Sequence, residues 1–165
     1  MGYVEERIGA KRAAEGAYPW QALWQANATL ALGSDFPVEA PNPFHGLYSA
    51  ITRLDAEQRS PHGPGGWCVA PLLLLSLFTK VLTVLPRFPA QRLTRAQALH
   101  AFTAAPSYAQ FEEEVGGTLT KGKRADLVIV DGDIVREASA ARIRAMQPVA
   151  TWIDGQVVWE RSDPV

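Results

Sequence analysis

The hydrophobic and polar positions divide the chain into short segments. Val4 to Ala14 mixes charged with small residues and predicts a weak helix broken at Gly9. Pro19 stands where a helix can begin, because its missing N–H costs nothing there. Trp20, Leu23 and Trp24 follow at the spacing of one helical face, and Asn27 is a suitable stop. Thr29-Leu30-Ala31-Leu32 is an apolar run closed by Gly33-Ser34 and predicts a buried strand of the parallel kind. Asp35-Phe36-Pro37 comes directly after it. Residues 39–46 predict a loop, Leu47–Leu54 a short helix and Ser60–Gly66 another loop.

The spacing of Thr94 and Gln97 predicts a capping box, with Leu99 and Phe102 on the buried face of the helix it opens. A second helix is expected from Pro106 to Glu113, closed by Gly116-Gly117. Ala125 to Asp131 is a β-branched strand pattern, and Ala138 to Met146 reads as helical. Val149–Ile153 and Gln156–Trp159 flank Asp154-Gly155, a strong short-range hairpin signal.

With 165 residues, 47 % hydrophobic and 20 % charged, the chain has the composition of one globular domain, not of a disordered, collagenous or disulfide-framed protein. A formal charge of -1 calls for neither nucleic acid nor an anionic membrane as partner. The lone Cys68 cannot form an internal disulfide, and with no apolar signal core at the start the expected compartment is cytoplasmic.

Val69 to Leu85 is the most apolar stretch, but Pro71 and Pro86 bracket only 14 residues and Lys80 interrupts them. A membrane span needs about 20 apolar residues without a central charge. A buried helix is the simpler reading, and membrane contact is not expected.

Asp35 carries the most chemical information. It follows an apolar strand pattern, and in α/β barrels catalysis gathers at the C-terminal ends of strands. A carboxylate there can hold a metal or take a proton. The plain alternative is a strand-end Asp capping the next turn. His45, His62 and His100 show neither H-x-H nor H-x-x-x-H spacing, so they predict no zinc site. Ser34 and Ser49 lack a nucleophile-elbow context, and no phosphate-binding glycine motif is present. Gly122-Lys123 is expected in a turn between strands, Glu112–Glu114 at a solvated helix end, and Trp152 and Trp159 in the core.

Two segments together resemble a known family. The first is Leu30 to Val38, with Pro41-Asn42-Pro43, Gly46-Leu47-Tyr48 and Thr52-Arg53 after it. The second is Gly117-Thr118-Leu119-Thr120-Lys121-Gly122-Lys123-Arg124-Ala125-Asp126-Leu127-Val128-Ile129-Val130-Asp131. These are similar to the C-terminal part of the metal-dependent amidohydrolase superfamily, in its amidohydrolase 3 (YtcJ-like) branch. Leu93 to Leu99 resembles the helix between the two segments. The resemblance implies an α/β fold: the end of a (β/α)8 barrel over residues 1–115 and part of a composite β-sandwich over 116–165. It also implies a divalent metal, commonly zinc, and hydrolysis of non-peptide carbon–nitrogen bonds in small-molecule amides. The family's Asp at the end of the eighth strand maps onto Asp35, which would touch the metal and take the proton of the attacking water. Trp67 and the Pro41–Tyr48 loop are placed to line a pocket or to pack on the barrel rim.

The family's other ligands, an H-x-H pair and later histidines, have no counterpart here. A catalytic zinc usually takes about three protein ligands, and a barrel needs about 250 residues. The chain therefore reads as the terminal third of such an enzyme, inactive alone. The competing class is a non-enzymatic fragment or interaction module, driven to associate by exposed barrel edges; a homo-oligomer is compatible with it.

The family pattern runs from Gly-Gly-Trp almost directly into Gln-Arg-Leu-Thr. Here 23 residues, Cys68 to Ala90, separate Trp67 from Gln91. This Leu-, Ser-, Phe- and Pro-rich insert carries two positive charges and no acidic residue. Such residues have pyrimidine-rich codons, as splice-acceptor tracts do. The favoured reading is a translated intron or gene-model error, against a genuine buried or lid-like insertion. Sequencing the transcript is expected to reveal a spliced form lacking residues 68–90, and its absence would end that reading.

Overall fold

A computed structural model describes residues 4–55, 57, 91–137 and 139–162. The loop expected at Ser60–Gly66, Trp67 and the Cys68–Ala90 insert lie outside the described residues. The elements run α1 (Val4–Ile8), α2 (Ala10–Gly16), α3 (Trp20–Gln25), α4 (Pro43–Thr52), α5 (Arg95–Phe102), α6 (Ala104–Ala109), β1 (Leu127–Val130), α7 (Ala140–Ala145), β2 (Pro148–Ile153) and β3 (Gln156–Glu160). The result is mixed helix and strand with one three-stranded antiparallel sheet of order β1-β2-β3.

Local chemistry sets most element ends. Gly9, at φ +82, separates α1 from α2 as its position in the charged run predicts. α3 ends in a Schellman arrangement: Asn27 takes φ 60, its N–H donates to the Trp24 carbonyl, and the Ala28 N–H reaches the Leu23 carbonyl. At α5 the capping box forms, with Gln97 N–H donating to Thr94 Oγ1 at 3.2 Å and Thr94 N–H to Gln97 Oε1 at 2.8 Å. Asp154 and Gly155, at φ 49 and 77, make the two left-handed positions of a type I′ turn between β2 and β3.

Four expectations need correction. Thr29–Leu32 is not a strand. Leu30 and Leu32 pack on the core, but among the described residues no neighbouring strand pairs with the segment. Helix α4 begins four residues before Leu47, because the Asn42 side chain accepts the Phe44 N–H at 2.9 Å and Pro43 occupies the first turn. The fully buried positions of α5 are Ala98 and Ala101, whereas Leu99 and Phe102 are half-buried. α6 starts at Ala104 and stops at Ala109, short of Glu113.

The core lies where α4 packs on α5 and α7: Phe44, Leu47 and Ala50 meet Leu93, Ala98, Ile143 and Met146. Gly46 lets α4 approach the half-buried ring of Phe102, which itself packs on this core. A Cβ at position 46 would fall inside the van der Waals radius of that ring. The sheet joins the helices through Val130 and through Asp131 just beyond β1. Gln147 N–H donates to Asp131 Oδ1 at 3.0 Å, and Arg161 Nη2 lies 3.6 Å from Oδ2 while donating to the Pro148 carbonyl at 2.8 Å.

Trp159 is 45 % exposed rather than in the core. It shares a cross-strand row with Thr151 and Val128, and Val128 is 53 % exposed. Among the described residues nothing covers this apolar row.

Two measurements follow from this packing. Gly→Ala inside a helix ordinarily stabilises by about 0.5–1 kcal/mol. At Gly46 the clash reverses the sign: Gly46→Ala is expected to lower stability by about 1–3 kcal/mol in thermal unfolding, and adding Phe102→Leu to recover part of it. The Asp131 carboxyl is held below its ordinary 3.8, first by the Gln147 N–H and further by the charges of Arg142 and Arg161, against the opposing effect of burial. Its folded value thus lies below its unfolded one, so its contribution is complete above about pH 4 and is lost as pH falls through the folded value. Asp131→Asn is therefore expected to be less stable at neutral pH, with the gap to wild type narrowing below pH 3.8 in acid unfolding followed by circular dichroism.

Candidate functional site

Asp35 sits at the end of the extended run that follows α3. Leu32 N–H donates to the Ala101 carbonyl at 2.9 Å, tying the run to α5, and Leu30 and Leu32 point into the core. Beyond Gly33 the chain turns: Asp35 takes φ 53, and its carbonyl accepts the Val38 N–H at 2.8 Å. Asp is among the few residues that adopt the left-handed region readily. The Phe36–Pro37 bond within this turn is cis. The turn leaves Asp35 exposed, flanked by Phe36 at 68 % and Val38 at 73 % exposure. Large apolar side chains beside an accessible carboxylate form a surface that another part of a protein or a ligand would cover.

The other candidates do not gather around Asp35. His45 belongs to helix α4, not to a Pro/Gly loop, because Asn42 and Pro43 start the helix before it. His100 is exposed in the last turn of α5, edge-on to Trp24 with ring centroids 5.5 Å apart. His62 lies outside the described residues. Among the described residues, no group of three or more His, Cys, Asp or Glu could hold a metal ion. Asp35 therefore stands here as a single ligand at most, and the residues present do not fit a complete metal centre.

The segment expected to line a pocket is mostly helix, and Phe44, Leu47 and Tyr48 are buried in it. A surface cleft of about 490 Å³ is bordered by Ile51, Arg92, Leu93, Thr94 and Val135 and does not include Asp35. Lys123 works structurally: its ammonium donates to the carbonyls of Glu113 and Gly116 and closes the turn after α6. Arg53 gained no role from its motif, yet it is buried at 3 %. No signal in the sequence marks this burial, since Arg53 stands just past α4 as its left-handed C-cap.

Comparison with known proteins agrees with this frame. The sequence model of the Amidohydrolase family matches residues 1–159. The chain is 29 % identical over 156 residues to Protein LONG AFTER FAR-RED 3 of Arabidopsis thaliana, covering 94 % of this chain and 22 % of that one. It is 28 % identical over 120 residues to N-substituted formamide deformylase of Arthrobacter pascens, covering 70 % and 22 %. To the putative amidohydrolase YtcJ of Bacillus subtilis (strain 168) it is 26 % identical over 161 residues, covering 97 % and 26 %. The chain thus spans about a quarter of the length of these relatives. No solved structure matches it. A family model that matches residues 1–159 means that the chain belongs to the amidohydrolase family.

Proposed function

We propose that this chain is the C-terminal segment of a longer metal-dependent hydrolase of non-peptide carbon–nitrogen bonds, and that Asp35 is the carboxylate it brings to the active site. The observation that carries the reading is the family match across residues 1–159 in a chain spanning only 22–26 % of its relatives. In the longer protein, residues 1–115 would complete an α/β barrel and 116–165 part of a composite β-sandwich. The exposed row of Val128 and Trp159 supports the second assignment, since a sandwich buries such a row under a second sheet. The substrate class is a small-molecule amide, in keeping with a relative that is a formamide deformylase.

The chemistry assigned to this chain is confined to its own residues. The turn after Leu32 holds the Asp35 carboxylate outward, free to accept a proton from a water attacking the carbonyl carbon. The divalent metal, zinc in the favoured reading, would draw its remaining ligands from the part of the fold outside this chain. By itself the chain is an inactive fragment with exposed apolar surfaces and a tendency to associate. Among the described residues, no helix is long and apolar enough to cross a membrane.

Two outcomes are expected. The purified chain, dialysed against zinc and then buffer, retains no stoichiometric metal by elemental analysis and does not hydrolyse N-substituted formamides; turnover by the chain alone would overturn the fragment reading. In a longer protein carrying this segment, Asp35→Asn lowers kcat by about 10²–10⁴-fold, the usual contribution of a general base, while the fold is kept. An unchanged kcat would remove Asp35 from the chemistry.

A further inference from the structure

Arg53 is the one buried charged side chain among the described residues. It caps the C-terminus of α4 with φ 60 and ψ 30. Such a left-handed position at a helix end favours glycine, which takes it without a Cβ penalty. An arginine buried there points to a role for its side chain that outweighs the backbone preference. Its guanidinium lies 4.8 Å from the centroid of the Trp20 ring, and Nη1 donates to the Tyr18 carbonyl at 3.1 Å. Both contacts fall on the entry to α3.

Helix α3 contributes no fully buried residue; Trp20 packs on the core half-buried, and side-chain bridges add to its anchoring. Besides Arg53 there are the Trp24–His100 ring contact and the Ala22 N–H bond to Gln91 Oε1 at 3.1 Å. The stretch from Tyr18 to Arg53 holds α3, the extended run, the Asp35 turn and α4 in succession. Arg53 closes that stretch on itself, joining its last residue to its first.

We propose that Arg53 is a positioning residue: its guanidinium clasps the entry of α3 to the exit of α4 and so fixes the run and the turn that present Asp35. The catalytic meaning of the clasp rests on the reading of Asp35 given above; the clasp itself does not. A guanidinium suits the task because its cation can sit over the indole ring while one of its N–H groups reaches the carbonyl.

The test is amide hydrogen exchange on the full chain, read at Leu32 and Val38, whose N–H groups bond to the Ala101 and Asp35 carbonyls. Arg53→Met keeps the apolar stem without the cation, and Arg53→Lys restores a cation. Exchange at both amides is expected to quicken about tenfold in Arg53→Met and by less in Arg53→Lys, with Thr151 and Trp159 in the sheet unchanged. Equal acceleration in the sheet would reduce Arg53 to a general stabiliser and overturn the proposal, as would wild-type rates in Arg53→Met. Should Arg53→Met not fold, Trp20→Leu removes the ring face and is read at the same amides against the same two outcomes. These rates report placement without metal or turnover, so failure of the clasp and failure of Asp35 as the site carboxylate are separate results.

Discussion

The ring of Phe102 occupies the space that a Cβ at position 46 would need, so the packing of α4 in the core depends on a glycine there. Without a Cβ at position 46, α4 can lie against α5 while its other side faces α7. Phe44, Leu47 and Ala50 then reach Ala98, Ile143 and Met146 at once. The small residues of α5, Ala98 and Ala101, belong to the same solution, because a close helix pair has no room for large side chains on the facing surface. The Asp35 turn precedes α4 in the chain, and Arg53 caps the far end of the helix.

Around that core the described residues leave many large apolar side chains exposed. Val128 and Trp159 on the sheet, Phe36 and Val38 beside Asp35, and Phe111 and Leu119 after α6 are all exposed. An antiparallel sheet usually turns one apolar face to a core and a polar face to water. Here β3 has no buried residue at all. That distribution is in keeping with the proposal that the chain is part of a longer family member, and Asp35 lies among the exposed apolar groups.

Much of this was legible in the residues themselves wherever the deciding contact closes within a few positions. The capping box of Thr94 and Gln97, the break at Gly9, the Asn27 stop and the Asp154-Gly155 hairpin are each settled by a hydrogen bond or a backbone preference inside one turn. The early start of α4 was equally local, since an Asn-Pro pair is a helix-opening signal, but the glycine and prolines around it suggested a loop. The family motifs likewise pointed to Asp35 without any structure, because a strand-like run followed directly by a carboxylate is a linear pattern.

Tertiary structure decided what each element faces. Thr29–Leu32 has the composition of a buried strand yet pairs with none among the described residues, because a strand exists only through its neighbour's backbone. Trp159 is 45 % exposed for a related reason: among the described residues no second layer covers its row. Arg53 has a charge that composition assigns to the surface, and the arrival of Tyr18 and Trp20 beside the end of α4 helps make its burial tolerable. The sequence by itself determined the caps, the turns and the family, which are short-range or linear properties. Which residues are covered and which left open depends on groups distant in the chain, and so only the folded structure could decide it.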